Sequence, residues 1–345
     1  MDRFPDFFGN VTASSALARM LERDRIPQTI LLCGPEGIGK ATLARRFAAA
    51  LLGDAAAIER DDLSLPHNVE LIAEREKLAT DKRSEDPLFF SAHPDFVTFP
   101  PDGPLRQISI HQMRLLKERA QLSPMRGRHR VFLIDHIDRA NEQAANSLLK
   151  VLEEPPPHLI LILTAENVYD LLPTIRSRSV IIHMTALAPR QMEAFAAARG
   201  WEPGDRRISL AAGSPGNAVT MDWETWDERR RRMLILLEVA SGQARFSAWV
   251  KDSEKISSSK SEKLESYLEL LYSLLEDVLL ARHGFPPRRH RDLEAGMRRL
   301  AGATSFEWLA AAVKRVDEMA HFARRNIQKG VALDAFALEL RAMPR

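Results

Sequence analysis

Apolar residues in this chain follow two rhythms, and the switch between them divides it. Nearly unbroken apolar runs stand at 29–33, 96–99, 131–134, 159–163 and 180–183. Their shortness and continuity predict strands buried on both faces. Between them lie stretches with apolar residues three and four apart, at 11–24, 41–52, 111–122 and 141–152, which predict helices. In the first of these Leu17, Met20 and Leu21 share a face; in the third Met113, Leu116 and Leu122 are available for burial. A strand-like piece also stands at 108–110. Strands alternating with helices imply a parallel sheet covered on both faces, an α/β domain. The stretch 53–91 is charged and irregular and offers only a helix at 69–78.

After Pro189 the rhythm is helical throughout. Short units at 191–198 and 208–212 are closed by Gly213-Ser214-Pro215-Gly216. From Trp223 onward only helices are expected, and Leu264, Leu268, Leu271, Leu275 and Val278 form one apolar stripe. Pro286 and Pro287 break that helix off. Residues 257–259, all serine, read as a turn or short linker.

The first strand runs into Gly34-Pro35-Glu36-Gly37-Ile38-Gly39-Lys40 and then a helix. Strand, glycine loop and helix together make a phosphate-binding loop credible. Gly34, Gly37 and Gly39 let backbone N–H groups turn inward on a phosphate, and Lys40 neutralises it as a point charge. The full pattern places Ser or Thr directly after the lysine as a magnesium ligand. Here that residue is Ala41, and Thr42 comes one residue late, rotated by about 100° on the helix. Asp135, at the end of the 131–134 strand, is suited to hold Mg2+ through water. His136 follows, where a hydrolysing site carries a glutamate to polarise water; we read it as a lost catalytic position. Three readings of the loop stay open: an eroded loop kept for its fold, ATP and Mg2+ held without hydrolysis by Gly34, Gly37, Gly39, Lys40, Thr42 and Asp135, or a working hydrolytic site.

Bulk properties narrow the setting. A length of 345 residues suits two or three domains. With 45% hydrophobic and 28% charged residues the chain is expected to be globular, and no apolar run of roughly eighteen residues predicts a membrane span. No secretory signal pattern opens the sequence. The single cysteine, Cys33, excludes an internal disulfide or a four-cysteine zinc site and reads as a small core residue. The cytoplasm is the expected compartment. A net charge of +2 is too balanced to argue for nucleic acid by itself. The clusters at 229–232, 288–291 and 324–325 read as solvated helix faces.

Three strings add a family likeness. The run Asn141-Glu-Gln-Ala-Ala-Asn-Ser-Leu-Leu-Lys-Val-Leu-Glu-Glu-Pro-Pro-Pro157 resembles the signature helix of bacterial clamp-loader subunits, as do His93-Pro94-Asp95 and Arg176-Ser177-Arg178-Ser179. Over residues 4–220 the chain resembles the DNA polymerase III clamp-loader subunits of the delta-prime kind; over the helical remainder the likeness is weak. It implies an AAA+ fold: a P-loop parallel-sheet domain at 1–185, a helical lid at 186–221, and an all-helical collar at 222–345. It implies partners too: gamma/tau and delta subunits in a hetero-oligomeric ring, the sliding clamp, and primed DNA held through phosphates. Arg178 matches the arginine that such a subunit lends in trans to a neighbour's ATP site, with Ser179 replacing the usual cysteine. The alternative is a surface arginine paired with a local carboxylate.

Departures from the motor subunits of that family point the same way. Motors carry a lid arginine near the position of Gly216. The polar sensing group after the fourth strand is Thr164 or Asn167. Relatives often hold zinc in the stretch matching 53–91, which has no cysteine here; His67 and His93 do not make a site, and His93 reads as loop packing. The expectation is therefore a subunit that does not hydrolyse ATP. The alternatives are an ATP-hydrolysing gamma/tau-type motor, or a stand-alone phosphoryl-transfer enzyme, for which the helical C-terminal third supplies no acceptor site.

Overall fold

The computed structural model describes residues 3–4, 6–259, 264–323 and 328–343. Arg324 and Arg325 lie outside the described residues. The chain forms two compact units: Met1–Gly204 with Ala212–Thr220, and Asp205–Ala211 with Met221–Arg345.

The first unit is built on five parallel strands: β1 (Thr29–Cys33), β2 (Phe96–Phe99), β3 (Arg130–Ile134), β4 (Leu159–Ala165) and β5 (Val180–His183), in the order β2-β3-β4-β1-β5. The strands are continuous apolar runs because the sheet has a core on each side. Leu31, Phe132, Ile134, Leu161 and Leu163 face one core; Ile30, Leu32, Val131, Leu133 and Ile162 face the other. Helices α1 (Val11–Glu22) and α2 (Lys40–Leu52) cover the second core, through Leu17, Leu43 and Phe47. The first core is covered from further along the chain, after α3 (Ala55–Ile58), α4 (Pro66–Glu76) and α5 (Thr80–Glu85), by α6 (Ile110–Ala120) and α7 (Glu142–Glu153). Ser109 and Gln112 cap α6 reciprocally, and the Asn141 side chain accepts the Ala144 N–H to start α7. The short α8 (Pro173–Ser177) leads into β5, and α9 (Pro189–Ala198) follows it.

Three expectations for this unit change. Residues 108–110 are not a strand: Ile108 makes one isolated bridge to Ala140, and the chain turns at once into α6. Leu122 is exposed, because α6 ends at Ala120. The stretch 53–91 is largely helical, as α3, α4 and α5. Its charges are its scaffold: the buried Arg45 pairs with Glu59 and Asp62, and the buried Arg75 reaches Asp102 at 3.0 Å and Asp86 at 3.2 Å. Asn68 donates to the carbonyls of Arg60 and Asp62, each at 2.8 Å. Ionic partners from different turns leave no apolar periodicity to read. His93 behaves as expected of a packing residue: it is buried, and its Nδ1 accepts the Asp95 N–H. Asp95 in turn accepts the N–H groups of Met125 and Arg126, both at 2.7 Å.

Between the units' boundaries run α10 (Arg206–Leu210), which belongs to the second unit, and α11 (Pro215–Thr220), which belongs to the first. Gly213, at φ +81°, ends the turn that follows α10, as expected, and Pro215 and Gly216 begin the next helix. Helices α12 (Trp223–Ala240), α13 (Ser247–Ser258), α14 (Leu264–Arg282), α15 (Glu294–Ala303), α16 (Phe306–Ala323) and α17 (Lys329–Arg341) complete the second unit around one core. Leu264, Leu268, Leu271, Leu275 and Val278 all enter that core. Ser257 and Ser258 extend α13 instead of forming a linker. Among the described residues no helix is long and apolar enough to cross a membrane.

Two arginine-rich clusters are solvated faces only in part: Arg231, Arg288 and Arg291 are exposed, while their neighbours turn inward. Arg230 and Arg232 are buried; Arg230 grips Asp292 with both terminal nitrogens at 2.8 and 2.7 Å, and Arg232 bonds Glu228 and the Tyr267 hydroxyl. His290 is fully buried, its Nε2 lying 2.9 Å from Ser273 Oγ and its ring stacked on Trp226. The buried Asp277 accepts the N–H groups of Arg288, Arg289 and His290, and so pins the loop after α14.

Burial pushes the His290 imidazole down to about 4; Arg230 and Arg289 add to the push, and Asp277 and Asp292 oppose it. The unfolded chain, with an ordinary histidine near 6.5, takes up this proton first. The His290 contribution is therefore intact above pH 6.5 and is lost between 6.5 and about 4, by up to about 3 kcal/mol. Unfolding midpoints measured across that window should decline less steeply in a His290→Gln variant than in the parent. Equal slopes would remove His290 from this role.

Candidate functional site

The C-terminal ends of β1, β3 and β4 lie side by side, since β4 pairs with both of the others. They bring the phosphate-type loop, Asp135 and Thr164 to one edge of the sheet. The loop is tied there by Gly34, whose N–H donates to the Ala165 carbonyl at 3.1 Å. Lys40 opens α2 and is buried. Its ammonium donates to the carbonyls of Gly34 at 2.6 Å and Pro35 at 2.7 Å. Burial pushes this group below its ordinary value, against the pull of Glu166, Asp135, Asp138 and Glu36.

The next two loop carbonyls are met by the segment that opens α11. Ser214 Oγ donates to the Glu36 carbonyl at 3.0 Å, and the Gly216 N–H donates to the Gly37 carbonyl at 2.7 Å. The approach is close enough to require glycine on both sides. A Cβ on Gly216 would stand 2.8 Å from Gly37 O; one on Gly37, whose φ is +72°, would stand 2.2 Å from Ser214 Oγ. Gly216 is thus more than a missing arginine. Its backbone docks on the loop, and a side chain at this position has no room.

The residues expected at the catalytic and magnesium positions make other contacts. Ala41 packs its methyl against the core beneath α2. Thr42 sits half-buried on the first turn of α2. Asp135 is buried, and its Oδ1 accepts the Thr164 hydroxyl at 2.6 Å, while Thr164 Oγ1 accepts the His136 N–H at 2.8 Å. Of the two sensing candidates, Thr164 therefore contacts Asp135, whereas Asn167 caps the short turn Val168–Asp170. Tested against these residues, a nucleotide's phosphates find the glycine loop and Lys40, but a magnesium ion finds only Asp135: the hydroxyl that should follow Lys40 is absent. His136 has a left-handed backbone, φ 54° and ψ 57°. Together with Arg139 and Glu36 it lines a cavity of about 210 Å³ that also includes Asp135, Pro100 and Pro101.

Arg178 stands elsewhere, at the C-terminal end of α8. Its side chain donates to Glu153 Oε1 and to the Thr174 carbonyl, each at 3.2 Å. Glu153 is the last residue of α7, so the signature helix itself supplies the local carboxylate. Both side chains are partly exposed, at 36% and 51%, and such pairs contribute about 0–1 kcal/mol. The pairing therefore holds Arg178 in place but releases it cheaply. Sequence reasoning missed Glu153, Ser214, Asp138, Arg139 and Glu166 as neighbours of these groups. Glu166, two residues after Thr164 at the end of β4, was open to detection by the same search that found Thr164 and Asn167.

Similarities to known proteins were found at three levels. A family model described as DNA polymerase III, delta subunit, matches residues 9–188. The gamma/tau subunit of DNA polymerase III from Mycobacterium tuberculosis is 29% identical over 200 residues, 56% of this chain and 30% of that protein. The delta' subunit of DNA polymerase III from Pseudomonas aeruginosa is 30% identical over 208 residues, 59% of this chain and 58% of that protein. The chain thus spans less than two thirds of the length of these curated relatives. A solved gamma subunit-related protein from Thermotoga maritima aligns with 95% of this chain and 98% of its own, at 17% identity and a TM-score of 0.44, too low to bear on the fold described above.

The contact between α11 and the loop yields a direct test. Gly216→Ala should lower stability by about 1–3 kcal/mol, the usual cost of forcing a side chain into a filled space. Gly296→Ala, likewise inside a helix and without a positive φ but with nothing within 4 Å, shows the effect of the added methyl where there is room for it. Chemical denaturation of both variants measures the difference; equal changes would mean that the contact at Gly37 carries no weight.

Proposed function

Because the chain belongs to the DNA polymerase III delta-subunit family, we propose that it serves as a clamp-loader subunit of the delta-prime kind. In this reading it is a scaffold that does not turn over ATP and that offers Arg178 to the nucleotide of an adjacent motor subunit. One observation carries the reading: the chemistry is divided between two places. At the chain's own loop the half-buried Ala41 packs against the core, His136 stands where a carboxylate is expected, and Gly216 lies backbone to backbone with Gly37. Arg178, on another element, keeps a partly exposed guanidinium tethered by one weak ion pair. A guanidinium delivered to a neighbour's phosphoryl group stabilises the charge that develops in transfer.

ATP, where bound, rests its phosphates on Gly34, Gly37, Gly39 and Lys40, with Asp135 the residue left to hold Mg2+, and is held without hydrolysis. The proposed division is an AAA+ domain at 1–185, a lid at 186–221 and a collar at 222–345 that joins the ring. Its proposed partners are gamma/tau and delta subunits, the sliding clamp and primed DNA, in the cytoplasm. The second reading is a gamma/tau-type motor, favoured by relatives named gamma/tau and tau that match 200 and 189 residues, against 208 for the delta' relative. Ala41, His136 and Gly216, on three separate elements, weigh against it.

Two measurements separate these readings. The purified chain should show no ATP turnover above background, with or without primed DNA; turnover that vanishes in Lys40→Ala would establish the motor reading instead. In a reconstituted loader, Arg178→Ala should leave assembly intact and slow ATP hydrolysis at the adjacent site by a factor on the order of 10³. An unchanged rate would take the trans role away from Arg178.

A further inference from the structure

His136 was set aside as a lost position, yet its surroundings give it a different use. Its left-handed backbone follows β3, and the short turn Ile137–Arg139 carries Asp138 next to it. Glu166 comes from the end of the adjacent β4. One ligand atom each from His136, Asp138 and Glu166 lie within 4.8 Å of one another, and among the described residues this is the one group of three such side chains that does so. His136 Nδ1 stands 3.8 Å from Glu166 Oε1. Around an ion with bonds of about 2.1 Å in tetrahedral array, ligand atoms are roughly 3.4 Å apart. Small side-chain rotations close the difference.

A second observation is independent of that proximity. His136 Nδ1 and Asp138 Oδ1 are both sealed from solvent and have no hydrogen-bond partner. Buried polar atoms are rarely left so, and a bound ion is one of the few explanations that satisfies a nitrogen and a carboxylate oxygen together. The charge balance agrees. Glu36, Asp135, Asp138 and Glu166 all act on Lys40. Against these four carboxylates stand Lys40 itself and Arg139, which reaches Glu166 at 3.3 Å. The local excess is two negative charges.

We propose that His136, Asp138 and Glu166 form a site for one divalent transition-metal ion. An imidazole with two carboxylates suits Zn2+, Co2+ or Mn2+ better than Mg2+, which seeks oxygen ligands and keeps its waters. Three protein ligands leave one position of a four-coordinate ion open. The site is distinct from a magnesium site on the phosphate loop. It does not depend on the clamp-loader role.

The test uses the full chain, tag-free and stripped with chelator, titrated with Co2+ in the visible range and with Zn2+ by calorimetry. One equivalent should bind, with a d–d absorption band for Co2+ that 5 mM-scale Mg2+, in roughly hundredfold excess, does not displace. His136→Gln and Glu166→Gln should each weaken binding at least about tenfold. His111→Gln, on the separate helix α6, should bind as the parent does, and thermal melts check that each variant is folded. Absence of binding by the parent overturns the proposal. So does parent-like binding by both folded variants, or ready displacement of Co2+ by Mg2+.

Discussion

The parallel register of the sheet is the constraint on which the rest of the first unit depends. Five strands running one way, with a core on each face, put every strand's C-terminal end at the same edge. A one-residue slip of β3 against β4 would send Phe132 and Ile134 into the opposite core and carry Asp135 away from Thr164. The geometry of the site is therefore secured by apolar packing several residues away from it. The strands can hold polar groups at their ends because their interiors are wholly apolar.

At that edge the backbone of the loop is satisfied by the protein itself. Four consecutive carbonyls, from Gly34 to Gly37, accept from Lys40, Lys40 again, Ser214 and Gly216. Such an arrangement keeps the loop's shape without help from a ligand, because buried carbonyls left unmet would cost about 1–3 kcal/mol each. It also gives the loop a fixed shape although Ala41, and no hydroxyl, follows Lys40. What the loop retains is its conformation and one buried cation among carboxylates.

Elsewhere, charge is used inside the fold as much as on its surface. Arg45 and Arg75 hold together a segment that lacks the cysteines of a metal module, and Arg230 and Arg232 tie α12 to other elements of the second unit. Removing one partner from such a buried pair leaves an uncompensated charge, which is far more costly than the pair's net contribution. These pairs thus fix which segments meet, even where they add little to overall stability.

Strand positions, the loop, the helix beginning near 141 and the candidate Arg178 were legible in the sequence because each depends on residues close together in the chain. Apolar runs, a glycine spacing and a helix start are local patterns, and local sterics and hydrogen bonds produce them. What becomes of a polar side chain is not local. Arg230 meets Asp292, His290 meets Ser273 and Trp226, Gly216 meets Gly37, and His136 meets Glu166, all across distances that only folding closes. The same arginine run reads as a solvated face or as a buried ionic clamp according to which carboxylate the fold brings to it. The sequence by itself therefore determined the sheet, its loop and the kinds of chemistry available. Tertiary structure decided which charges are paired, which atoms are left without partners, and so where further ligands can bind.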